Sequence, residues 1–310
     1  MQLLAEVLGL PTVIIIAVFT FVVGTVFGSF INCVAWRICA GESFLSGRSH
    51  CTSCGHELGV LELIPVLSWV ISGGKCKHCG AHVSVRYLLT EVLMGVVFVV
   101  LVMVYGLSIE ALAYFGFACC LLGLSLVDLD TMTIPNGFLL AAIVIWLLYL
   151  GLRALGLNFM DSVTQLVVLS TPVTNTASIF TGIVGSGVLA QALDGLLAGV
   201  VFVVAILLIS LVMDMILGRA SLGGGDIKLL GVAGLYLGLA CSVLNIFIAC
   251  VLGIIFSVAW GMRPKLEAQD GEEGGGAKPF PFGPAISVAT LLTLLVGPLA
   301  VNAYLGLFMF

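Results

Sequence analysis

The stretch PTVIIIAVFTFVVGTVFGSFINCVAW, Pro11 to Trp36, contains no charged residue. A helix needs about 20 apolar residues to cross a bilayer, so this run is long enough to span one. The rest of the chain repeats the pattern. Of its 310 residues, 61% are hydrophobic and 9% are charged. Ordinary soluble domains carry about 25% charged residues, so this surface is too apolar for water alone. Further apolar runs cover Leu88–Tyr105, Ile109–Val127, Phe138–Leu155, Ala190–Leu217, Ile227–Leu239, Cys241–Trp260 and Gly283–Leu307. The runs are continuous rather than alternating, and backbone polar groups in lipid must pair internally. The expected fold is therefore an all-α polytopic membrane protein with about eight transmembrane helices. The sixth run is short and almost fused to the seventh, which points to a long kinked hairpin. The start, MQLLAEVLGLP, lacks the positive region of a secretory signal, so the first helix is read as retained. A net charge of −5 and the absence of a basic stripe argue against a nucleic-acid partner.

Basic residues set the expected orientation. Arg37, Arg48, Lys75, Lys77 and Arg86 lie between the first two runs. Arg219 and Lys228 flank the turn between runs five and six, and Arg263, Lys265 and Lys278 lie between runs seven and eight. Only Arg153 falls elsewhere, near the far end of run four. Eight spans with an external N-terminus put all three basic segments, and the Asp128–Gly137 turn, in the cytoplasm. The expected location is the cytoplasmic (inner) membrane, with the lipid bilayer as solvent. The segment 157–189 is Ser/Thr-rich, holds no Lys or Arg, and falls outside. The segment Glu267–Gly276 is acidic and glycine-rich and reads as a flexible linker.

The insert between runs one and two holds all four histidines and five of the ten cysteines. Its core reads CTSCGHELGVLELIPVLSWVISGGKCKHCG: a CxxC, twenty-one residues, and a second CxxC. Two such knuckles offer four thiolates and can close a tetrahedral zinc site through Cys51, Cys54, Cys76 and Cys79. Disulfides or free thiols are the alternatives, and a reducing cytoplasm disfavours disulfides. A small insert has little core of its own, so a structural metal is a natural staple. His56 and His78 are spare ligands. Cys33, Cys39, Cys119, Cys120, Cys241 and Cys250 have no ligand spacing and read as small hydrophobes. The expected organisation is residues 1–36 as a first helix, 37–87 as a cytoplasmic zinc-binding insert and 88–310 as a membrane-embedded domain.

Carboxylates inside apolar runs are costly and often functional. Glu91, Asp128, Asp130, Asp194, Asp214 and Asp226 are the candidates. Asp128 ends run three in SLVDLDTMTIPNGF, and Asp226 opens run six in SLGGGDIKLL. The topology puts both at the cytoplasmic ends of their helices. Two carboxyl groups that converge cannot both stay ionised, and an asymmetric pair can activate water and protonate a leaving amine. Gly223, Gly224 and Gly225 would let a peptide backbone approach. The plainer alternative for Asp226 is a helix N-cap. Asp130 reads as a solvated neighbour, Asp194 and Asp214 as residues near span ends, and Glu91 as the partner of a basic residue.

With these residues in order, the chain resembles the type IV prepilin leader peptidase/N-methyltransferase family, the GxGD-type membrane aspartic proteases. The resemblance rests on GSFINCVAWRI, the double CxxC around IPVLSW, SVRYLLTE, DLDTMTIPN, SLGGGDIKLL and PFPFGPAI. Leu88 stands where the family usually has proline, and segment 157–189 and the acidic linker look added. The resemblance implies removal of the leader peptide from type IV prepilins or pseudopilins at the cytoplasmic face. Cleavage would follow a glycine, and S-adenosylmethionine-dependent methylation of the new amine would come next. It assigns catalysis to Asp128 and Asp226, zinc to the four cysteines, and a link with methylation to Gly74. The alternatives are a peptidase that does not methylate, a zinc-stabilised membrane transporter, or a non-catalytic assembly protein.

Overall fold

A computed structural model describes residues 10–43, 47–157, 187–218, 222–261 and 280–308. Most of segment 157–189, the acidic linker Glu267–Gly276 and the basic residues Arg219, Arg263, Lys265 and Lys278 lie outside the described residues. The elements are α1 (Leu10–Ala40), a 3-10 turn (Val60–Glu62), α2 (Leu67–Ser72), α3 (Val85–Tyr105), α4 (Ile109–Thr131), α5 (Asn136–Ala154), α6 (Val188–Leu217), α7 (Gly224–Gly261) and α8 (Gly283–Phe308). No strand occurs among the described residues; two isolated bridges, His50 with Glu57 and Lys75 with His82, are the only extended pairings.

Seven of these helices are long and apolar enough to cross a membrane. Counted as one element, α7 contains both expected runs six and seven, because two helices meet in it across a kink. Straight, its 38 residues would extend about 57 Å, well beyond a hydrocarbon core of about 30 Å. The element is broken at Gly238, whose φ of 70° and ψ of 177° are not helical. Hydropathy registers the same two stretches, and the break at Gly238 is where they part.

The chain divides into two compact units, residues 1–127 with 140–174, and 128–139 with 175–310. In the first unit, α1 and α3 meet along a seam of glycines. A methyl group on Gly24 would sit 2.6 Å from the Met94 carbonyl oxygen, and one on Gly95 would sit 2.6 Å from the Phe21 ring. Lipid offers no hydrophobic drive between helices, so close backbone approach through small residues supplies the attraction. The Asn32 amide donates to the Thr90 hydroxyl across the same seam. Glu91, which the sequence suggested as the partner of a basic residue, bonds instead to the main chain. Its Oε2 accepts the backbone N–H of Val66 at 2.7 Å, tying the insert to α3. Arg86 donates to the Leu126 carbonyl at 2.9 Å, near the end of α4. Arg153 sits beside Glu110 and the tyrosines: it donates to the Tyr149 hydroxyl, and the Tyr114 hydroxyl donates to Glu110, each at 3.0 Å.

In the second unit, α6 packs on the first half of α7 through Gly199, Gly231 and Gly234. A methyl group on Gly234 would lie 3.0 Å from the Gly199 nitrogen. The second half of α7 packs on α8, where Asn245 (2% exposed) bonds with Thr290 and Thr293, both fully buried. Asp194 of α6 reaches the α7 break and accepts the Leu239 N–H. The Ser242 hydroxyl donates to the Gly238 carbonyl at 2.6 Å. Asp194 is therefore a cap for an interrupted helix, satisfying an N–H that the break leaves open.

Candidate active site and metal centre

The four knuckle cysteines come together as the spacing predicts. Their sulfur atoms all lie within 4.8 Å of one another, and Cys51 Sγ and Cys79 Sγ are 3.9 Å apart. A tetrahedral zinc with Zn–S of about 2.3 Å requires sulfur pairs about 3.8 Å apart, so the set fits that ion. Each knuckle is closed the same way. The Gly55 N–H donates to the Cys51 carbonyl at 2.8 Å, and the Gly80 N–H to the Cys76 carbonyl at 2.9 Å. Gly55 and Gly80 have φ of 72° and 73°, the left-handed region where a side chain would strain the turn. The backbone N–H groups of Ser53 and Cys54 point at Cys51, and they lower its thiol to about 6. That donor set favours the thiolate form a metal needs. His56 and His78 lie against one another with ring centroids 4.0 Å apart and planes tilted by 53°, and neither belongs to the cysteine group. Cys119, Cys120 and Cys241 are buried among apolar side chains.

Gly74 opens the second knuckle with φ of 68°. A methyl group there would lie 2.7 Å from the Trp69 ring. Trp69 in turn donates its indole N–H to the Val83 carbonyl at 3.2 Å. Gly74 is therefore where α2 folds down onto the cysteine loops.

The carboxylate site is built from helix ends in the second unit. Asp128 is 4% exposed near the C-terminus of α4. The helix stops just beyond it at Met132, which has φ of 55° and donates its N–H to the Asp128 carbonyl at 2.8 Å. The Ile134-Pro135 turn then leads into α5. Asp226 lies in the first turn of α7 and is half-buried. It is not the N-cap. Gly223 holds that position, and the Asp226 carboxylate folds back to accept the Gly223 N–H, which is half of a capping box. A methyl group on Gly225 would lie 2.9 Å from Ile134 Cβ, so the α7 turn packs directly on the loop after Asp128. Lys228 adds a second tie, donating to Asn136 Oδ1 at 3.1 Å. Asp226 thereby comes within Coulombic reach of Asp128.

A third helix end completes the site. The Gly283 N–H, at the start of α8, donates to Asp128 Oδ2 at 2.9 Å in a buried contact. A methyl group on Gly283 would lie 2.6 Å from that oxygen. Sequence reasoning grouped Gly283 within PFPFGPAI without giving it a role. The signal was a glycine directly before Pro284, since proline favours the first position of a helix and marks where its free N–H groups begin. The other acidic candidates stay apart from this pair. Asp130 is exposed, Asp194 caps the α7 break, the Asp214 carbonyl accepts the Gly218 N–H at the end of α6, and Glu91 holds Val66.

Residues 22–105 match the family described as the Bacterial Peptidase A24 N-terminal domain. The chain is 27% identical to a prepilin leader peptidase/N-methyltransferase of Bacillus subtilis (strain 168), over 92% of this chain and 96% of that protein. It is 29% identical to the protein of the same name from Burkholderia pseudomallei (strain 1026b), over 95% and 89% respectively. A Dichelobacter nodosus protein of that name is 26% identical over 96% of each chain. No solved structure matches the chain. The matched domain and the near-full-length similarity agree with the membrane helices and the cysteine cluster, and the chain is similar to the prepilin leader peptidase/N-methyltransferases along most of its length.

Proposed function

We propose that this protein is a membrane aspartic endopeptidase that removes the leader peptide of type IV prepilins or pseudopilins at the cytoplasmic face. The observation that carries the reading is the convergence of Asp128 and Asp226 at helix ends, with the Gly283 N–H fixing one oxygen of Asp128. One carboxyl of the pair carries a proton while the other takes a proton from water. The water attacks the scissile carbonyl, the protonated carboxyl donates to the departing amine, and no covalent intermediate forms. Gly224 leaves open space beside Asp226 for the peptide main chain, since a methyl there would meet nothing within 4 Å, whereas the room at Gly223 and Gly225 is taken by the Asp226 carboxylate and Ile134. The concentration of basic residues between alternate spans supports the cytoplasmic assignment.

The relatives' names support a second step, methylation of the new N-terminal amine, for which S-adenosylmethionine would supply the methyl group. Zinc held by Cys51, Cys54, Cys76 and Cys79 would staple the insert and take no part in cleavage. The test is to incubate purified protein with a candidate prepilin and S-adenosylmethionine and weigh the product. Leader loss plus one methyl mass supports both steps, and leader loss alone leaves a peptidase without methylation. Full processing by Asp128→Asn or Asp226→Asn protein would sink the two-carboxylate mechanism.

A further inference from the structure

The insert has two unlike faces. Its cysteine loops are polar, with Arg48 and Glu57 paired at 3.1 Å on the surface. The segment joining the knuckles is apolar and uncovered. Val60, Leu61, Leu63, Leu67, Val70 and Ile71 are 79%, 73%, 44%, 58%, 58% and 74% exposed. Single exposed apolar residues are ordinary, but a contiguous cluster of this kind marks an interaction surface.

The height of this face along α3 identifies its partner. Val66, in the middle of the segment, donates its N–H to Glu91. Glu91 stands six residues into the span Val85–Tyr105, about 9 Å along the helix axis. At that same level Leu89 and Leu93 of α3 are 63% and 51% exposed, on a helix long and apolar enough to cross a membrane. Val66 has φ of 62°, a conformation uncommon for a β-branched residue, and the hydrogen bond to Glu91 holds it there. The segment is therefore tethered at the depth where a spanning helix already meets lipid, with its large side chains turned outward. Exposed Lys75 and Lys77 follow directly in the chain and suit anionic headgroups.

We propose that Val60–Ile71 lies in the bilayer interface, so that the insert is a membrane-seated element rather than a free soluble domain. Its short helix and 3-10 turn bury their apolar side chains about 5–10 Å into the boundary between headgroups and acyl chains, as interfacial helices do. The cysteine loops stay in water. This inference does not depend on the peptidase reading.

Collisional quenching on the full-length protein tests it. One alkyne-bearing residue replaces Ile71, is coupled to a small fluorophore, and the protein is reconstituted in phosphatidylcholine–phosphatidylglycerol vesicles. The same label at Glu57 is the water-exposed reference. Lipid carrying a nitroxide near the headgroup end of its chain should quench position 71 about threefold more than position 57, and aqueous iodide about threefold less. Placing Leu61→Asp and Val70→Asp in the labelled protein should remove at least half of the lipid quenching, with metal content per chain unchanged. Iodide quenching at position 71 equal to that at position 57 would overturn the proposal. Protection from both quenchers would overturn it too, by showing a protein, such as a second copy of this chain, on that face.

Discussion

The cysteine cluster and the aspartate pair are built by opposite means. Cys51 and Cys79 are 28 residues apart, on short exposed turns that few apolar contacts support. Asp128 and Gly283 are 155 residues apart, in a buried contact made where long helices end. The first site brings together four thiols that a metal, bound as proposed, would hold in place. The second needs packed helices to hold its carboxylates. A change that removes zinc should therefore loosen the insert and spare the carboxylates, whereas a change at a helix end should damage chemistry and spare the metal.

The sharpest way to break this contrast is at the carboxylates. Asp128→Asn or Asp226→Asn should cut leader removal about a thousandfold or more while zinc content and membrane insertion stay normal. Prepilin processing followed on a gel, beside metal analysis, measures both. Next in size, Gly283→Ala should lower kcat about a hundredfold, because the new methyl displaces an oxygen of Asp128 from its position. The KM for prepilin should move little, and Asp194→Asn in the same membrane preparation provides a control that alters a carboxylate away from the site. Cys51→Ser should lose the metal and make the insert sensitive to protease, with leader removal reduced about tenfold or less; cleavage lost as fully as in Asp128→Asn would end the independence of the two sites.

The smallest effect concerns thiol chemistry within the cluster. In metal-free protein whose turns keep their folded form, the Ser53 and Cys54 backbone N–H groups lower the Cys51 thiol to about 6. For Cys79 the Ala81 backbone contact works downward, but desolvation and the neighbouring sulfurs outweigh it and push the thiol up to about 11. At neutral pH Cys51 should be alkylated faster than Cys79, since only the thiolate reacts. A lowered value means that the Cys51 thiolate persists below the usual 9.0 and is lost as pH falls through about 6. Peptide mass spectrometry across that range would show the labelling of Cys51 falling while that of Cys79 stays low throughout.

These differences also explain what could be read in the sequence. CxxC knuckles are local, so spacing alone brings Cys51, Cys54, Cys76 and Cys79 together on paper. The helices were equally plain, because lipid demands long apolar runs. Asp128 and Asp226 could be matched in depth from topology, but only folding brings the Gly225 turn onto Ile134. Contacts made by main-chain N–H groups left little trace. Gly283 before Pro284 marks a helix start, but nothing in the letters names Asp128 as its acceptor or Glu91 as that of Val66. The Gly238 break was half legible: hydropathy saw two stretches, but whether a glycine there turns the chain or interrupts a helix depends on the Asp194 that reaches it.

The Gly283 contact has a consequence for how this site can change over generations. Its donor belongs to the main chain, so almost every codon preserves it; only proline deletes the N–H. What substitution alters is room. Variation at this position is thus read as side-chain volume, not as chemistry, and a saturation library should rank by size, with alanine ahead of serine and both well ahead of valine. Asp128 and Asp226 each lose their carboxyl in one substitution. Gly283 is lost by degrees, and compensating small residues around Asp128 could restore it.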